Sequence, residues 1–492
     1  MSDITPFFPG WRAVLAPMGS RVKSTLGSLK EATLCQIEAS LAAGVDGSLF
    51  VKPKAKAHSR RRVYCLERVF GCWVWQVLGA RVSCREVVRQ VQGLFAVGLG
   101  RRVGAGTGAY CRSRAKLPLG LLEKVFLSSA ASAQKRAGVS KLLQGRPLKV
   151  VDGTSLPLED TPQNHAAFPA AGNQYGSVGF PLVKMLAIFS VASGAIVGRA
   201  TGTGDQSENR LLKSLCGLLD KGDILMGDRH FGYFALAAWL QQSFGVDLLA
   251  RVPTGSRRVD FRKAIKVLGK NDALFLWRKP PEKATYFTLQ EWDTLPQQLT
   301  VRLVKATIEN RGFRTREITL VTTLLDPKDY PAEELMAAYL KRWRMEMCLD
   351  DLKTTLGMEK LRSHPPVQAQ KEILIFLTAH NLIRWIMASA PGDIERHSFK
   401  GTLDTFRQWS IAMAAAGRKK KAPTRTKLWE EFLTTIAADK IPIRPERREP
   451  RAVKKKTQKY PYLSSSRKTY REPLSRTKRR ILNNYMKNHP KP

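Results

Sequence analysis

Acidic residues are scarce in this chain: 41 Asp and Glu stand against 82 Lys and Arg, a formal net charge of +41 over 492 residues. Such self-repulsion is best tolerated beside a polyanion, which makes nucleic acid the favoured partner. An anionic membrane surface is the rival, but no Lys-rich amphipathic helix with a bulky apolar face is present. Paired cysteines are also lacking. The seven, Cys35, Cys65, Cys72, Cys84, Cys111, Cys216 and Cys348, are odd in number and show no CxxC or Cys/His pairing. That argues for a reducing cytoplasm and against structural zinc. Long apolar runs are missing too. The longest, Phe180 to Val197, is interrupted by Lys184 and carries the turn-like pair Ser193-Gly194, so it reads as two strands rather than a membrane span. The N-terminus has no signal-peptide apolar core, and no internal repeat recurs. A soluble, cytoplasmic, nucleoid-associated protein without a membrane partner is expected.

What is present is a chain of several textures, too long for a single core. From Leu66 to Phe95, Val69, Trp73, Val77, Val87, Val91 and Leu94 recur at helical spacing, interrupted near Gly79. Basic clusters flank this helical region: Lys52, Lys54, Lys56, Arg60, Arg61 and Arg62 before it, and Arg101, Arg102, Arg112, Arg114 and Lys116 after it, with Tyr110 interleaved. A solvated surface accounts for any one of these charges; as clusters they suit phosphate contact. After Leu142 come strand-like Leu148–Asp152, a hairpin-like pair at Leu182–Ala192 and Ala195–Thr201, helical Glu208–Leu219, strand-like Asp223–Asp228, helical Phe231–Leu240 and strand-like Asp247–Arg251. This order is α/β texture. Residues from about Val252 to Asp326 hold strand-like Leu274–Trp277, Thr300–Ala306 and Ile318–Leu324, which we read as an inserted β subdomain. One long helix from Glu333 to Leu356 and an apolar one from Val367 to Met387 follow. The tail is basic, with Arg418–Lys421, Arg447, Arg448, Lys454–Lys456 and Arg476–Arg480, and is expected to be solvated in the free protein and to order on DNA. The expected division is a leader (1–28), a helical DNA-binding region (29–135), a core in two parts (136–251 and 327–392) around the β-rich insertion (252–326), and a basic C-terminal region (393–492).

Asp152 and Asp228 each close a short strand-like run, at the strand edge where α/β sheets bind ligands. Either aspartate alone is more often a turn former or helix cap. The long helix supplies a third carboxylate. From Tyr339, the offsets of 3, 7 and 14 residues to Arg342, Glu346 and Lys353 correspond to about 300°, 340° and 320° of helical rotation, so the four share one stripe. Leu340, Trp343 and Met347 flank it on one side and Met345, Leu349, Leu352 and Leu356 on the other, while Lys341, Arg344, Cys348, Asp351 and Thr355 take the opposite, solvated face. A structural pairing of Glu346 with Arg342 is one account. A polar active-site floor is the other, and it explains charge placed amid apolar neighbours better. Three carboxylates can hold two Mg²⁺ ions for phosphodiester chemistry, with Arg and Lys gripping the phosphate.

The spacing Tyr339-x2-Arg342-x3-Glu346-x6-Lys353 resembles the tyrosine-arginine-glutamate-lysine signature of DDE transposases from bacterial insertion sequences. Val151-Asp152-Gly153-Thr154 and Gly227-Asp228-Arg229-His230-Phe231-Gly232 look like that family's two aspartate motifs, and the run Arg447 to Lys456 is similar to its tail. The resemblance spans about Leu66 to Arg384. It implies an RNase H-like core, Asp152, Asp228 and Glu346 as ligands of Mg²⁺ (Mn²⁺ substituting), and Tyr339, Arg342 and Lys353 on the DNA phosphate. It further implies cut-and-paste movement of the element through a hairpin, with terminal inverted repeats and target DNA as partners and a homodimer in the synaptic complex. Relatives that flip a base can use a tryptophan in the strand before the signature helix. Here that strand, Ile318–Leu324, has none, which leaves Trp277 or Trp292 as stacking candidates beside their ordinary packing role. Asp350 reads as structural and His230 as a hydrogen-bonding neighbour of Asp228. Three rivals remain: an RNase H-like nuclease or resolvase, which does not need the Tyr/Arg/Lys stripe; a catalytically silent, transposase-derived DNA-binding protein; and a basic protein bound to structured RNA, which would account for the charge but not for the ionisable stripe.

Overall fold

The computed structural model describes Gly44 and residues 47–50, 63–79, 82–99, 101–169, 172–173, 176–177, 180–253, 259–307, 317–415 and 422–442. The leader 1–28, the basic run Lys52–Arg62, Arg418–Lys421 and the tail with Arg447, Lys454 and Arg476 lie outside the described residues.

Nine strands join edge to edge into one sheet: β1 (Leu148–Pro157), β2 (Leu182–Ser190), β3 (Ile196–Gly202), β4 (Ile224–Gly227), β5 (Asp247–Arg251), β6 (Lys266–Gly269), β7 (Asp272–Arg278), β8 (Gln298–Thr307) and β9 (Glu317–Thr322). Their order is β3-β2-β1-β4-β5-β9-β8-β7-β6. β1, β4 and β5 are parallel, while β2 and β3 run antiparallel as a hairpin whose turn is made by Gly194 at a φ of 68°. The strands of the insertion do not form a separate layer. β9 pairs antiparallel with β5, Leu320 opposite Arg251, and β8, β7 and β6 carry the same sheet onward. A buried ion pair locks this extension, Asp272 of β7 accepting from Arg302 Nε at 2.8 Å and Nη2 at 2.5 Å.

Successive residues of the parallel strands enter two different cores. Val150, Ile224, Met226 and Leu249 join one, and Val151, Leu225, Leu248 and Ala250 the other, so the sheet is covered on both faces. The first core holds α1 (Leu66–Leu78), α2 (Cys84–Leu99), α3 (Gly108–Ala115) and α4 (Leu119–Ala137); the second holds α6 (Glu208–Leu215) and α7 (Phe234–Phe244), a short α5 (Pro162–Ala167) lying between. In the extension, α8 (Leu289–Thr294) adds Trp292 to the second core.

Two expectations are corrected. Asp152 does not close its strand: β2 goes on pairing with β1, Ala187 opposite Asp152 and Leu182 opposite Pro157, because the Asp-Gly pair fits an extended backbone here. The single helix from Glu333 to Leu356 is three pieces, α9 (Ala332–Leu340), α10 (Arg342–Asp350) and a π-helical turn Asp351–Thr355, with the break at Lys341. α11 (Pro366–Ser389), α12 (Phe399–Ala415) and α13 (Ala422–Ala438) complete the described chain. Among the described residues no helix is long and apolar enough to cross a membrane.

Candidate active site

The pairing of β1 with β4 fixes where the two aspartates stand. It sets Val150 opposite Met226, and the same register continued by two residues brings Asp152 level with Asp228, just past the last residue of β4. With a side-chain period of two, both follow Val150 and Met226 onto the face that carries α9 and α10. Asp152 is therefore mid-strand toward β2 but beyond the strand end toward β4.

α10 packs against β1. Tyr339 is buried at 2% exposure, and Arg342 lies against both the Tyr339 and Trp343 rings, its guanidinium carbon 5.8 Å from each centroid. Arg342 Nη2 donates to Glu346 Oε1 at 3.0 Å. Burial lifts the Asp152 carboxyl to about 6, the charges of Glu346 and Asp228 pushing the same way, while the Gly153 N–H at 2.9 Å and Arg342 pull against it. Burial works against the charge of Arg342, yet Tyr339, Glu346, Asp152 and Asp228 together hold its pKa above the usual value. Burial also raises the Tyr339 hydroxyl, with Arg342 and Arg251 opposing and Asp228 assisting. These mutual effects mark one electrostatic cluster. Asp228 accepts the His230 backbone N–H at 2.8 Å, and the His230 ring nitrogen stands 4.0 Å from its other oxygen.

The structure thus brings Asp152, Asp228, Tyr339, Arg342 and Glu346 together. Lys353 sits on the π-helical turn, and no ion pair joins it to the others among the described residues; such wide turns recur at functional sites. Asp350 is exposed and accepts from the Thr354 hydroxyl at 2.9 Å. Among the described residues no three His, Cys, Asp or Glu side chains stand close enough to hold a metal ion as placed, and Glu346 is turned onto Arg342 instead.

Several expected placements are corrected. Cys348 and Asp351 do not lie on a solvated face, because α11 covers that side: Cys348 is buried and Asp351 takes a hydrogen bond from Arg384 at 2.8 Å. Met347, expected to flank the stripe among apolar neighbours, is 53% exposed. Neither Trp277 nor Trp292 reaches the cluster. β7 lies four strands from β4, about 19 Å at the usual strand spacing. Trp292 is only 6% exposed, its ring 6.0 Å from that of Phe287, and Trp277 packs on the same core.

Arg251, which closes β5 next to the Asp228 strand, was not singled out by the sequence. Its Nε is buried without a hydrogen-bond partner among the described residues, and its charge is felt at Tyr339. The available signal was an apolar strand, Asp247–Arg251, ending on a cation in parallel with one that ends before Asp228.

Residues 143–382 match the family model of the transposase DDE domain. Transposase InsG for insertion sequence element IS4, from Escherichia coli (strain K12), is 26% identical over 400 residues, an alignment covering 79% of this chain and 86% of that protein. Together these matches support a DDE transposase of the IS4 type. A cryo-EM structure of a piggyBac transposase synaptic complex with hairpin DNA superposes over 85% of each chain at 10% identity with a TM-score of 0.38, a likeness too distant to place individual residues.

Proposed function

We propose that this protein is a DDE transposase of the IS4 type that moves its own insertion sequence by a cut-and-paste route, cleaving DNA at the element's ends and joining them to a target. The segment β3-β2-β1-β4-β5, antiparallel on one side of β1 and parallel on the other with helices on both faces, supports an RNase H-like core within the division of the chain set out above. The observation that carries the reading is the field at Asp152, where Asp228, Glu346 and Arg342 all act on one half-buried carboxyl.

Asp152, Asp228 and Glu346 are the residues that would hold divalent cations. Their hard oxygen donors and their mutual repulsion fit such ions, once Glu346 exchanges Arg342 for the cation. Mg²⁺, with Mn²⁺ able to substitute, would activate the attacking oxygen and stabilise the leaving one. Tyr339, Arg342 and Lys353 grip the phosphate at the element's end, Arg342 through its planar fork. Each step is an in-line displacement at phosphorus: the bond to the incoming water or 3′-hydroxyl oxygen forms as the bond to the departing oxygen breaks, and the incoming group gives up its proton. In a hairpin route the freed 3′-hydroxyl attacks the opposite strand. Base stacking by Trp277 or Trp292 would require a rearrangement, since both are packed in the extension. The surplus of basic residues suits duplex DNA, both terminal repeats and target, and a homodimer would hold two ends at once.

Transposition of a marker flanked by the DNA ends that border this gene tests the reading. Wild type should mobilise it and Asp228→Ala should not. DNA binding without mobilisation by either protein would favour the catalytically silent reading, and cleavage without joining would favour a nuclease.

A further inference from the structure

Arg384 stands on α11, which is otherwise apolar or uncharged from Ile373 to Met387, and it is only 8% exposed. An arginine cannot shed its charge there, so it needs a carboxylate. Asp351 is its one ion-pair partner among the described residues. Arg384 Nη2 donates to Asp351 Oδ2 at 2.8 Å and to Cys348 Sγ at 3.1 Å; Cys348 lies on α10, and Asp351 opens the π-helical turn that follows. The guanidinium carbon is also 5.1 Å from the centroid of the Phe399 ring at the start of α12. The β2–β3 turn closes in from another side, where a Cβ at Gly194 would come within 3.1 Å of Arg384 Nε. Burial, with the charge of Arg384, pushes the neighbouring His380 imidazole well below its usual value, so that it stays neutral and does not compete for Asp351.

Such a pair is a poor source of stability. Desolvating two charges consumes most of their attraction, and apolar side chains of similar volume often do as well or better. What the pair fixes is register, because the bond forms only when α11 and the end of α10 stand in one relation. That register matters at Lys353. The turn Asp351–Thr355 closes on the fifth residue, Leu356 N–H donating to the Asp351 carbonyl at 2.9 Å, whereas an α-helix closes on the fourth. It takes in one residue more, so the residues along it fall behind an ideal wheel by up to one residue's rotation of about 100°. Lys353, third of the five, is carried part of that way off the line of Arg342 and Glu346. Asp351, where the turn begins, is the residue that Arg384 holds.

We infer that Arg384 and Asp351 are positioning residues, whose ion pair anchors the π-helical turn to α11 and so sets where Lys353 stands beside Arg342 and Glu346. This rests on the reading of Lys353 as a side chain that grips the DNA phosphate. Arg384 and Asp351 act through Lys353 and touch neither phosphate nor cation.

The test is a double-mutant cycle on the full-length protein, reading affinity for a duplex that bears the element's end and the rate of nicking at saturating duplex. It is run at pH 8, where the Asp351 carboxyl, pushed up to about 6 by burial against the pull of Arg384, is ionised. One axis of the cycle is Lys353→Ala. The other is the paired exchange Arg384→Met with Asp351→Leu, which removes both charges and keeps an apolar filling. Asp351→Asn, which leaves Arg384 an oxygen to donate to, is run beside it. Lys353→Ala alone should weaken duplex binding by about tenfold and slow nicking. The paired exchange should do nearly the same with a Tm no lower than wild type, and adding Lys353→Ala to it should cost almost nothing more. In the Asp351→Asn background the cost of Lys353→Ala should be reduced, and this variant decides by the same criterion if the paired exchange does not fold. If the full tenfold cost of Lys353→Ala persists in these backgrounds, the pair is structural only and the inference is overturned, while the reading of Lys353 stands. If Lys353→Ala alone binds and nicks like wild type, the phosphate reading of Lys353 fails and the inference with it.

Discussion

Arg342 donates to Glu346 at 3.0 Å across one turn of α10, joining the side chain proposed to grip phosphate to one proposed to hold a cation. The pair is asymmetric: the Arg342 side chain is 10% exposed and that of Glu346 50%. Glu346 can therefore leave without burying a new charge, whereas Arg342 stays between Tyr339 and Trp343. Incoming cation and incoming phosphate would part the two along complementary lines.

Glu346→Gln isolates the first half of this exchange. Glutamine still accepts a hydrogen bond from Arg342 but offers no charge to a cation. Strand cleavage should fall by more than about a hundredfold, since even partners standing behind a metal ligand carry about ten- to a hundredfold. Binding of an end-bearing DNA duplex should persist. The check is a gel assay that follows binding and nicking of the same labelled duplex; a drop in nicking that merely tracks lost binding would refute the assignment.

Asp152 makes the metal-free protein pH-sensitive. Its folded pKa of about 6 lies above the ordinary value of 3.8, so the native state binds the proton more tightly than the unfolded chain does. Its contribution to stability is fully present below about pH 4 and is lost as pH rises through about 6. Asp152→Asn removes that penalty. The variant should gain about 2–3 kcal/mol over wild type at pH 8 in chelator, with the gap closing toward pH 4. Denaturant unfolding of both proteins across that range is the measurement, and a gap independent of pH would contradict the burial argument. Comparison with wild type is essential because Asp351 also titrates near 6.

Much of this site was legible in the sequence because it rests on local periodicity. The strand-like runs before Asp152 and Asp228 and the spacing of Tyr339, Arg342 and Glu346 each follow from a few consecutive residues. What was not legible depends on partners distant in sequence. The extension of β1 past Asp152 needs β2 beside it, and the burial of Cys348 and Asp351 needs α11 and Arg384. The break at Lys341 and the π-helical turn interrupt an ideal helix, which a 100° wheel cannot show. Arg251 belongs to the cluster only through the order of strands in the sheet.

The joined sheet predicts that the extension is held by the Asp272–Arg302 pair. Arg302 is fully buried, and it also donates to the Tyr330 carbonyl at 2.6 Å just before α9 begins. Asp272→Ala would leave that guanidinium without its carboxylate, at a cost of about 3–5 kcal/mol. Thermal unfolding should show a lowered or split transition. An unchanged melting profile would mean that the pair contributes little beyond its own desolvation.

Arg342→Ala separates the second half of the exchange. It removes the fork meant for the phosphate and leaves Glu346 without its present partner, so the two candidate functions should move independently. Hydrogen bonds to charged groups carry about 1.5–3 kcal/mol, so affinity for a duplex bearing the element's end should fall by about ten- to a hundredfold. Mn²⁺ affinity in the absence of DNA should not fall, because the freed Glu346 carboxylate no longer has to leave an arginine before meeting a cation. Arg342→Lys should recover part of the DNA affinity as a point charge without the planar fork. Fluorescence anisotropy of the labelled duplex and Mn²⁺ titration on the same preparations give both quantities. If Mn²⁺ binding weakens together with DNA binding, Arg342 is holding the shape of the whole site, and the division of labour along α10 is wrong.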